Sequence, residues 1–279
     1  MGLIEKNDKW SLSDQLWELM KPLIPPGKPH RFKGHNPPMD RRAAMNAILF
    51  VLRTGCQWKA LDGTGLGRGS TVHGWFVRWV KEGVFHEFWR SGLLACEALE
   101  GIKWDWCSAD GSMTKAPLGG EKSGPNPTDR AKKGVKRSVM TDGNGVPIGI
   151  AVGGANMVDF KMLAETIGSI PVERPVPTSE EPQNMCLDKG YDYKEARKVV
   201  ADNNFTPHIR SRGEEKRSIK EEPGYKARRW VVERVFSWIN RFRRLLVRWE
   251  KKEETYTGML QFVCGIIAYR GAKLLSSNT

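Results

Sequence analysis

The sequence lacks the cysteine and histidine patterns of a zinc site or a disulfide framework. Its 5 cysteines and 5 histidines are scattered, with no C-x-x-C pair and no histidines at zinc-ligand spacing. An odd number of dispersed thiols is typical of a reducing compartment, where cysteines stay unpaired. We therefore expect a cytoplasmic protein without structural zinc.

Long hydrophobic runs are also missing. The segment from Met1 to Trp10 is polar and lacks the apolar core of a signal peptide, and the longest apolar stretch, from Met259 to Tyr269, is too short to span a bilayer. Hydrophobic residues nevertheless make up 39% of the 279 residues, enough for a sizeable core. A folded, soluble protein of one large or two moderate domains is predicted.

Acidic residues are outnumbered by basic ones, 32 to 45, which gives a net charge of +13. The surplus is concentrated in two segments: residues 210–252 hold 15 Lys and Arg against 6 Asp and Glu, and residues 115–137 hold 7 against 2. Lysine and arginine bind polyanions by displacing counterions from phosphates. A solvated basic face is the plainer explanation, but two localised surpluses favour a nucleic-acid partner.

The first hundred residues show helical periodicity. Ser13 and Asp40 are placed to cap two helices, and further helices are predicted over about 70–82 and 84–99. His73, Arg78 and Lys81 lie off the apolar stripe of the third helix and could face a DNA groove. The segment thus fits either a helix-turn-helix reader of DNA or a small helical bundle.

Beyond residue 101 the pattern changes to strands alternating with helices. Strands are predicted over 102–112, 135–141 and 146–153, the last two joined by the turn sequence DGNG at 142–145. Helices over 160–167 and 193–203 alternate with strands over 185–188 and 205–209, and helices over 226–250 and 256–275 follow. This order predicts an α/β fold of the ribonuclease H type, a mixed sheet with helices on both faces. We expect a helical DNA-binding domain over 1–100 and a catalytic domain over 101–279.

Three acidic residues occupy positions that can converge. Asp110 and Asp188 each end an apolar strand, and Glu233 lies on a basic helix. Hard oxygen ligands of this kind hold Mg²⁺, and a pair of such ions can activate and stabilise the oxygens of a phosphodiester. The sequence therefore predicts that Asp110, Asp188 and Glu233 are metal ligands and catalytic residues for two Mg²⁺ ions, with Mn²⁺ as a substitute.

Each acid taken singly has a plainer interpretation. Asp110 could be a turn or cap residue, and Glu233 could pair with Arg229 one helical turn earlier. Other carboxylates compete for a role at the site. Asp105 alternates to the opposite face from Asp110, Asp142 lies in the hairpin turn, and Asp159 and Asp192 are expected to cap helices.

The motifs around these acids are similar to those of a known family. They are SADGS at 108–112, LDKGYD at 187–192 and RWVVERVFSW at 229–238, preceded by RTGCQW at 53–58. In this order they resemble the DDE transposases of bacterial insertion sequences, from the family numbered five in the superfamily of families four and five. Asn240 stands where the superfamily signature has lysine.

The resemblance implies an enzyme that binds the terminal inverted repeats of its own element, cleaves the ends and joins them to target DNA. It implies a Mg²⁺-dependent reaction on double-stranded DNA, a homodimer on the DNA and a nucleoid-associated location. A regulator that binds DNA without cutting it and a general nuclease of the same fold stay open as alternatives. Residues expected to contact DNA are His73, Arg78, Lys81, Lys132, Lys133, Lys136, Arg137, Arg228, Arg229, Arg234, Arg241, Arg243 and Arg244.

Overall fold

A computed structural model describes residues 10–26, 39–209, 217, 221 and 230–275. Its N-terminal part is helical, with α1 (Asp14–Met20), α2 (Arg41–Thr54), α3 (Gly69–Lys81) and α4 (Val84–Leu99). Short 3₁₀ turns follow α1 over Lys21–Leu23 and precede α3 over Trp58–Gly63.

The caps expected from the sequence shape the first two helices. The Ser13 side chain accepts a hydrogen bond from the Leu16 amide, and Asp40 accepts one from the Ala43 amide. Gly55 ends α2 in the left-handed conformation, with φ of 72°. Helix α3 begins at Gly69, next to the predicted start, and has no side-chain cap; the Gly69 amide donates a hydrogen bond to Asp62 at 2.7 Å.

The remaining chain forms a six-stranded sheet with its helices. The strands are β1 (Trp106–Lys115), β2 (Gly124–Pro125), β3 (Lys133–Thr141), β4 (Pro147–Gly154), β5 (Asn184–Leu187) and β6 (Thr206–Ile209). The helices are α5 (Asp159–Gly168), α6 (Lys194–Asp202), α7 (Trp230–Asn240) and α8 (Glu253–Gly271), with 3₁₀ turns at Lys189–Tyr191 and Arg243–Leu245. None of the described helices is long and apolar enough to cross a membrane.

The strand order confirms the predicted fold class. The main sheet runs β4–β3–β1–β5–β6, in which β3 is antiparallel to both β1 and β4, while β1, β5 and β6 are mutually parallel. Helix α5 packs on β3 and β4 with α6 beside it, and helices α7 and α8 also pack against the sheet. A mixed sheet of this order with flanking helices is the ribonuclease H fold.

One continuous core joins the helical part to the sheet part. Phe85 and Phe88 of α4 pack on Phe262 of α8, with ring centroids 5.1 and 5.8 Å apart. A side chain at Gly265 would collide with Phe88, because its Cβ would lie 2.4 Å from that ring. Trp89 donates a hydrogen bond to the Pro147 carbonyl at 2.8 Å. These contacts hold α4 between α8 and the start of β4.

The long helix predicted over 226–250 is wrong beyond Asn240. The chain turns there, and Val247 forms a parallel bridge to Lys115 at the end of β1. Two buried arginines donate hydrogen bonds to backbone carbonyls of this segment. Arg137 donates to the Leu245 carbonyl at 3.2 Å and Arg248 to the Glu250 carbonyl at 2.8 Å. Tertiary hydrogen bonds therefore override the apolar period of the sequence.

Candidate active site

Asp110 and Asp188 lie at the same level of the sheet, on neighbouring parallel strands. Ser108 of β1 pairs with Cys186 of β5, and each aspartate lies two residues beyond that pair. Asp188 follows the end of β5 as predicted, but the prediction that Asp110 ends its strand is wrong, because β1 continues to Lys115 through its pairing with β3. The two carboxylates are close enough that the charge of Asp188 raises the pKa of Asp110. Asp110 also accepts a hydrogen bond from the Gly111 amide at 2.7 Å, and Asp188 accepts one from the Gly190 amide at 2.8 Å.

Burial and neighbouring charges perturb the carboxylate of Asp110. Burial raises its pKa to about 6, against the lowering effect of the Gly111 amide, and the charges of Asp188, Asp159 and Glu233 raise it further. Glu233 is exposed on α7, which packs across β1 and β3. The structure thus places Asp188 and Glu233 within electrostatic range of Asp110.

A fourth carboxylate, Asp159, belongs to the same neighbourhood. It is the first residue of α5, where it makes no capping hydrogen bond, so its expected capping role is wrong. Its Oδ1 atom lies 3.0 Å from Nζ of Lys136. A Cβ atom at Gly111 would lie 2.1 Å from that oxygen, so the glycine makes room for the carboxylate.

Tyr191 is a buried residue beside these carboxylates. It follows Asp188 by one 3₁₀ turn, and its ring is fully buried. Its hydroxyl lies near Ser138 but makes no well-formed hydrogen bond within the described residues, since Ser138 is engaged by Thr166 at 2.7 Å. Burial and the charges of Asp159, Asp110 and Asp188 raise the pKa of Tyr191, so the hydroxyl keeps its proton as a donor.

The donor set fits a hard divalent cation in its chemistry. Carboxylate oxygens are the preferred ligands of Mg²⁺, and a cation would stabilise the charge of Asp110, whose pKa is raised by burial and by neighbouring carboxylates. Among the described residues, however, no three His, Cys, Asp or Glu side chains are close enough to hold a metal ion as they stand. The side chains would have to close on the ion, as mutually repelling carboxylates do when a cation enters.

The other acidic competitors have structural roles. Asp142 is fully buried in the hairpin turn, where it accepts hydrogen bonds from the Asn144 and Val146 amides at 3.0 and 2.7 Å. Asp192 does not cap α6; it pairs with Lys189 and Arg197 instead. Asp105 is exposed ahead of β1.

Three of the basic residues predicted to hold phosphates are wrongly assigned, because they are buried and engaged inside the protein. Lys136 pairs with Asp159. Arg137 is 1% exposed and donates to Leu245 and Asn240, and Arg244 is 5% exposed and pairs with Glu250 at 2.7 Å. Asn240, at the signature lysine position, thus accepts a hydrogen bond from Arg137.

The other basic residues are placed at or near the surface. Arg78 pairs with Glu82 at 2.9 Å, and the guanidinium of Arg234 lies between the Trp230 and Trp238 rings. The His73 ring lies against Trp58, and burial lowers its pKa. Arg228 and Arg229 lie outside the described residues. Exposed positions are His73, Lys81, Lys132, Lys133, Arg241 and Arg243.

Comparison with known proteins points to one family. Residues 105–264 match the family described as Transposase DDE domain, and residues 12–89 match Putative transposase of IS4/5 family. Over 153 residues the chain is 36% identical to "Putative transposase for insertion sequence element IS402" of Burkholderia cepacia, spanning 54% of this chain and 70% of that protein. It is 37% identical over 120 residues to "Insertion element IS402 uncharacterized 16.2 kDa protein" of the same organism, spanning 42% and 80%.

A likeness among solved structures is much weaker. The catalytic domain of Mos1 mariner transposase aligns with 67% of this chain and 94% of its own, at 12% identity and a TM-score of 0.29. A TM-score this low does not support a fold assignment, which rests instead on the strand order of the sheet.

Proposed function

Since the chain belongs to the DDE transposases of the IS4/5 type, we propose that it binds the ends of its own insertion sequence, cleaves them and joins them to target DNA. Hydrolysis of a phosphodiester at the element's end frees a 3′-hydroxyl, which then attacks a phosphodiester of the target. The observation that carries the proposal is the position of Asp110 and Asp188 at one level of the sheet, in electrostatic contact with Glu233.

A DDE domain implies a divalent metal ion. We assign Asp110, Asp188 and Glu233 as its ligands, with two Mg²⁺ ions, or Mn²⁺ in their place, as the full complement. When bound, such ions supply Lewis-acid stabilisation to the attacking and leaving oxygens. The protein holds the carboxylates in place. The Gly111 and Gly190 amides donate hydrogen bonds to Asp110 and Asp188. The Lys136–Asp159 pair packs beside Gly111 of β1.

DNA contacts are proposed for the basic residues that remain at or near the surface. Lys132 and Lys133, at the start of β3, and Arg241 and Arg243, after α7, would contact phosphates and position the duplex without reading its sequence. The same role, predicted from the sequence, is proposed for Arg228, Arg229 and Arg234. Arg78 and Lys81 line one shallow groove on α3, and with His73 they form the proposed reading face of the domain over 1–100.

Pairing two element ends requires two active sites, so a homodimer on DNA is proposed, with the catalytic domain over 101–279 in each subunit. The experiment that tests the function is a nicking assay on DNA carrying the element ends, with Mg²⁺. The wild type should nick; Asp110→Ala should bind without nicking; and Asp105→Ala, an exposed aspartate ahead of the same strand, should nick normally. A wild type that binds the ends and never nicks them would support a regulator. Equal cutting of unrelated duplexes would support a general nuclease.

A further inference from the structure

A half-enclosed pocket lies between the turn joining β3 to β4, helix α7 and the end of helix α8. It has a volume of about 300 Å³, and none of its lining residues belongs to the carboxylate site. Val146 and Ile267 make part of its wall apolar. Cys96 also lines the pocket. Burial raises the pKa of its thiol to about 11, so the thiol is neutral. The volume is at the lower end of small-molecule sites.

Two arginines, Arg241 and Arg270, line this pocket without a counter-ion. Within the described part of the chain, neither guanidinium makes an ion pair or a side-chain hydrogen bond, and Nε of Arg270 is buried with no partner. Burial lowers the pKa of Arg270, and the neighbouring charge of Arg241 lowers it further. Burial and Arg270 in turn lower the pKa of Arg53 to about 10. Positive charge is therefore crowded at one side of the pocket.

No carboxylate among the described residues lines the pocket to offset this charge. The nearby Asp142 is occupied, because its oxygens accept hydrogen bonds from backbone amides of its own turn and from the Lys103 amide at 3.1 Å. Burial of the Arg270 Nε atom without a partner costs free energy, and the two neighbouring cations repel each other; an anion of matching shape would offset both. The pocket therefore favours an anionic ligand.

The aromatic side of the pocket narrows the chemistry of that ligand. Trp238 lines it, and Arg234 lies 4.9 Å from the centre of the Trp238 ring. A guanidinium binds phosphate through two parallel hydrogen bonds, and an indole beside an arginine is a stacking surface for a nucleobase. We propose that the pocket binds a single nucleotide, with its phosphate on Arg241 and Arg270 and its base against Trp238 and the apolar wall.

The site lies outside the carboxylate chemistry proposed above, but it shares Arg241 with the proposed duplex contacts and helix α7 with the catalytic acid Glu233. Glu233 and Trp238 are on the same helix, so a nucleotide in the pocket contacts the element that carries one catalytic acid. The nucleotide could come from two sources, either the free mononucleotide or one residue of a DNA strand. Both offer the same phosphate and base.

The test is a calorimetric titration of the full chain in about 0.15 M salt, where nonspecific phosphate contacts are weakened. The probes are deoxyadenosine 5′-monophosphate, inorganic phosphate and deoxyadenosine. The monophosphate should bind most tightly. Arg241→Gln and Arg270→Gln should each weaken its binding about 10-fold. Lys273→Gln removes the same charge three residues from Arg270, at a side chain paired with Glu100 outside the pocket, and should leave binding unchanged.

Equal affinity of the Arg241→Gln, Arg270→Gln and Lys273→Gln variants would overturn the proposal, as would absence of binding to the wild type. Equal binding of inorganic phosphate and of the monophosphate would overturn the assignment of the base to Trp238. Should Arg270→Gln unfold, the exposed Arg241 decides the outcome.

Displacement of the bound monophosphate by a short single strand, and not by a duplex of the same length, identifies the DNA strand as the source; no displacement by either identifies the free nucleotide.

Discussion

The ammonium of Lys136 lies 3.0 Å from the carboxylate of Asp159, and both side chains pack against Gly111, the residue next to Asp110. The lysine is 9% exposed and the aspartate 30%. This pair therefore lies inside the protein, where a charge left without its partner costs more than it does at the surface.

Asp159→Asn should destabilise the protein, since it leaves the Lys136 ammonium buried without a countercharge. We expect a loss of about 2 kcal/mol in the free energy of unfolding, below the range for fully buried pairs because Asp159 is partly exposed. Urea unfolding measures it. Asp192→Asn is the matched control, because Asp192 pairs with Lys189 at the same distance of 3.0 Å on the surface. Equal losses in the two variants would contradict the account.

Gly111→Ala should displace Asp159, because the new methyl group would lie 2.1 Å from its Oδ1 atom. Overpacking of this kind costs about 1–3 kcal/mol. Gly168→Ala, at a helical glycine with open space around it, should be neutral or slightly stabilising. Thermal unfolding of the two variants compares them, and an unchanged Gly111→Ala protein would show that Asp159 is not seated there.

Asp110 should make the stability of the metal-free protein depend on pH. Its pKa is raised from 3.8 to about 6 in the folded state, so the folded protein binds a proton that the unfolded chain releases. The associated stability is complete below pH 4 and is lost as the pH rises through 6, by up to about 3 kcal/mol. Asp110→Asn should remove this loss. Unfolding in chelator at several pH values tests it, and parallel pH profiles for wild type and variant would refute it.

Arg244 and Arg243 should have separate effects although they are neighbours. Arg244 pairs with the buried Glu250 and donates to the Cys56 carbonyl at 2.9 Å, which ties the segment after α7 to the segment after α2. Arg244→Met should cost about 3–5 kcal/mol in unfolding free energy, since it leaves Glu250 buried and unpaired. Arg243→Met should leave stability unchanged and weaken DNA binding. The reverse pattern would restore Arg244 as a phosphate contact.

Local signals in the sequence predicted much of this fold. The caps at Ser13 and Asp40 and the DGNG turn act within a few residues, so they can be predicted without tertiary information. The apolar run that stops at Asp188 marked the end of β5, whereas β1 continues past Asp110 to Lys115. The order of these elements was enough to predict the ribonuclease H fold.

The errors arose where contacts distant in sequence decide the structure. The helix after Glu233 ends at Asn240 because Arg137 of β3 binds the Leu245 carbonyl and Val247 bridges to Lys115 of β1, and no local residue signals that stop. Asp159 joins the site through Gly111, 48 positions earlier in the sequence. One signal was available for Lys136 and Arg137, since both lie in the interior of a strand between Val135 and Val139, where a charged side chain is buried when the strand is central in the sheet.

The central claim is that Asp110, Asp188 and Glu233 share one divalent-cation site. Its most direct test replaces Mg²⁺ with Fe²⁺ and lets hydroxyl radicals generated at the metal cut the polypeptide beside it. The account predicts cuts clustered near residues 110, 188 and 233 together, suppressed by excess Mg²⁺ and lost in Asp110→Ala. Cuts near only one of the three positions, or cuts that persist in that variant, would contradict it.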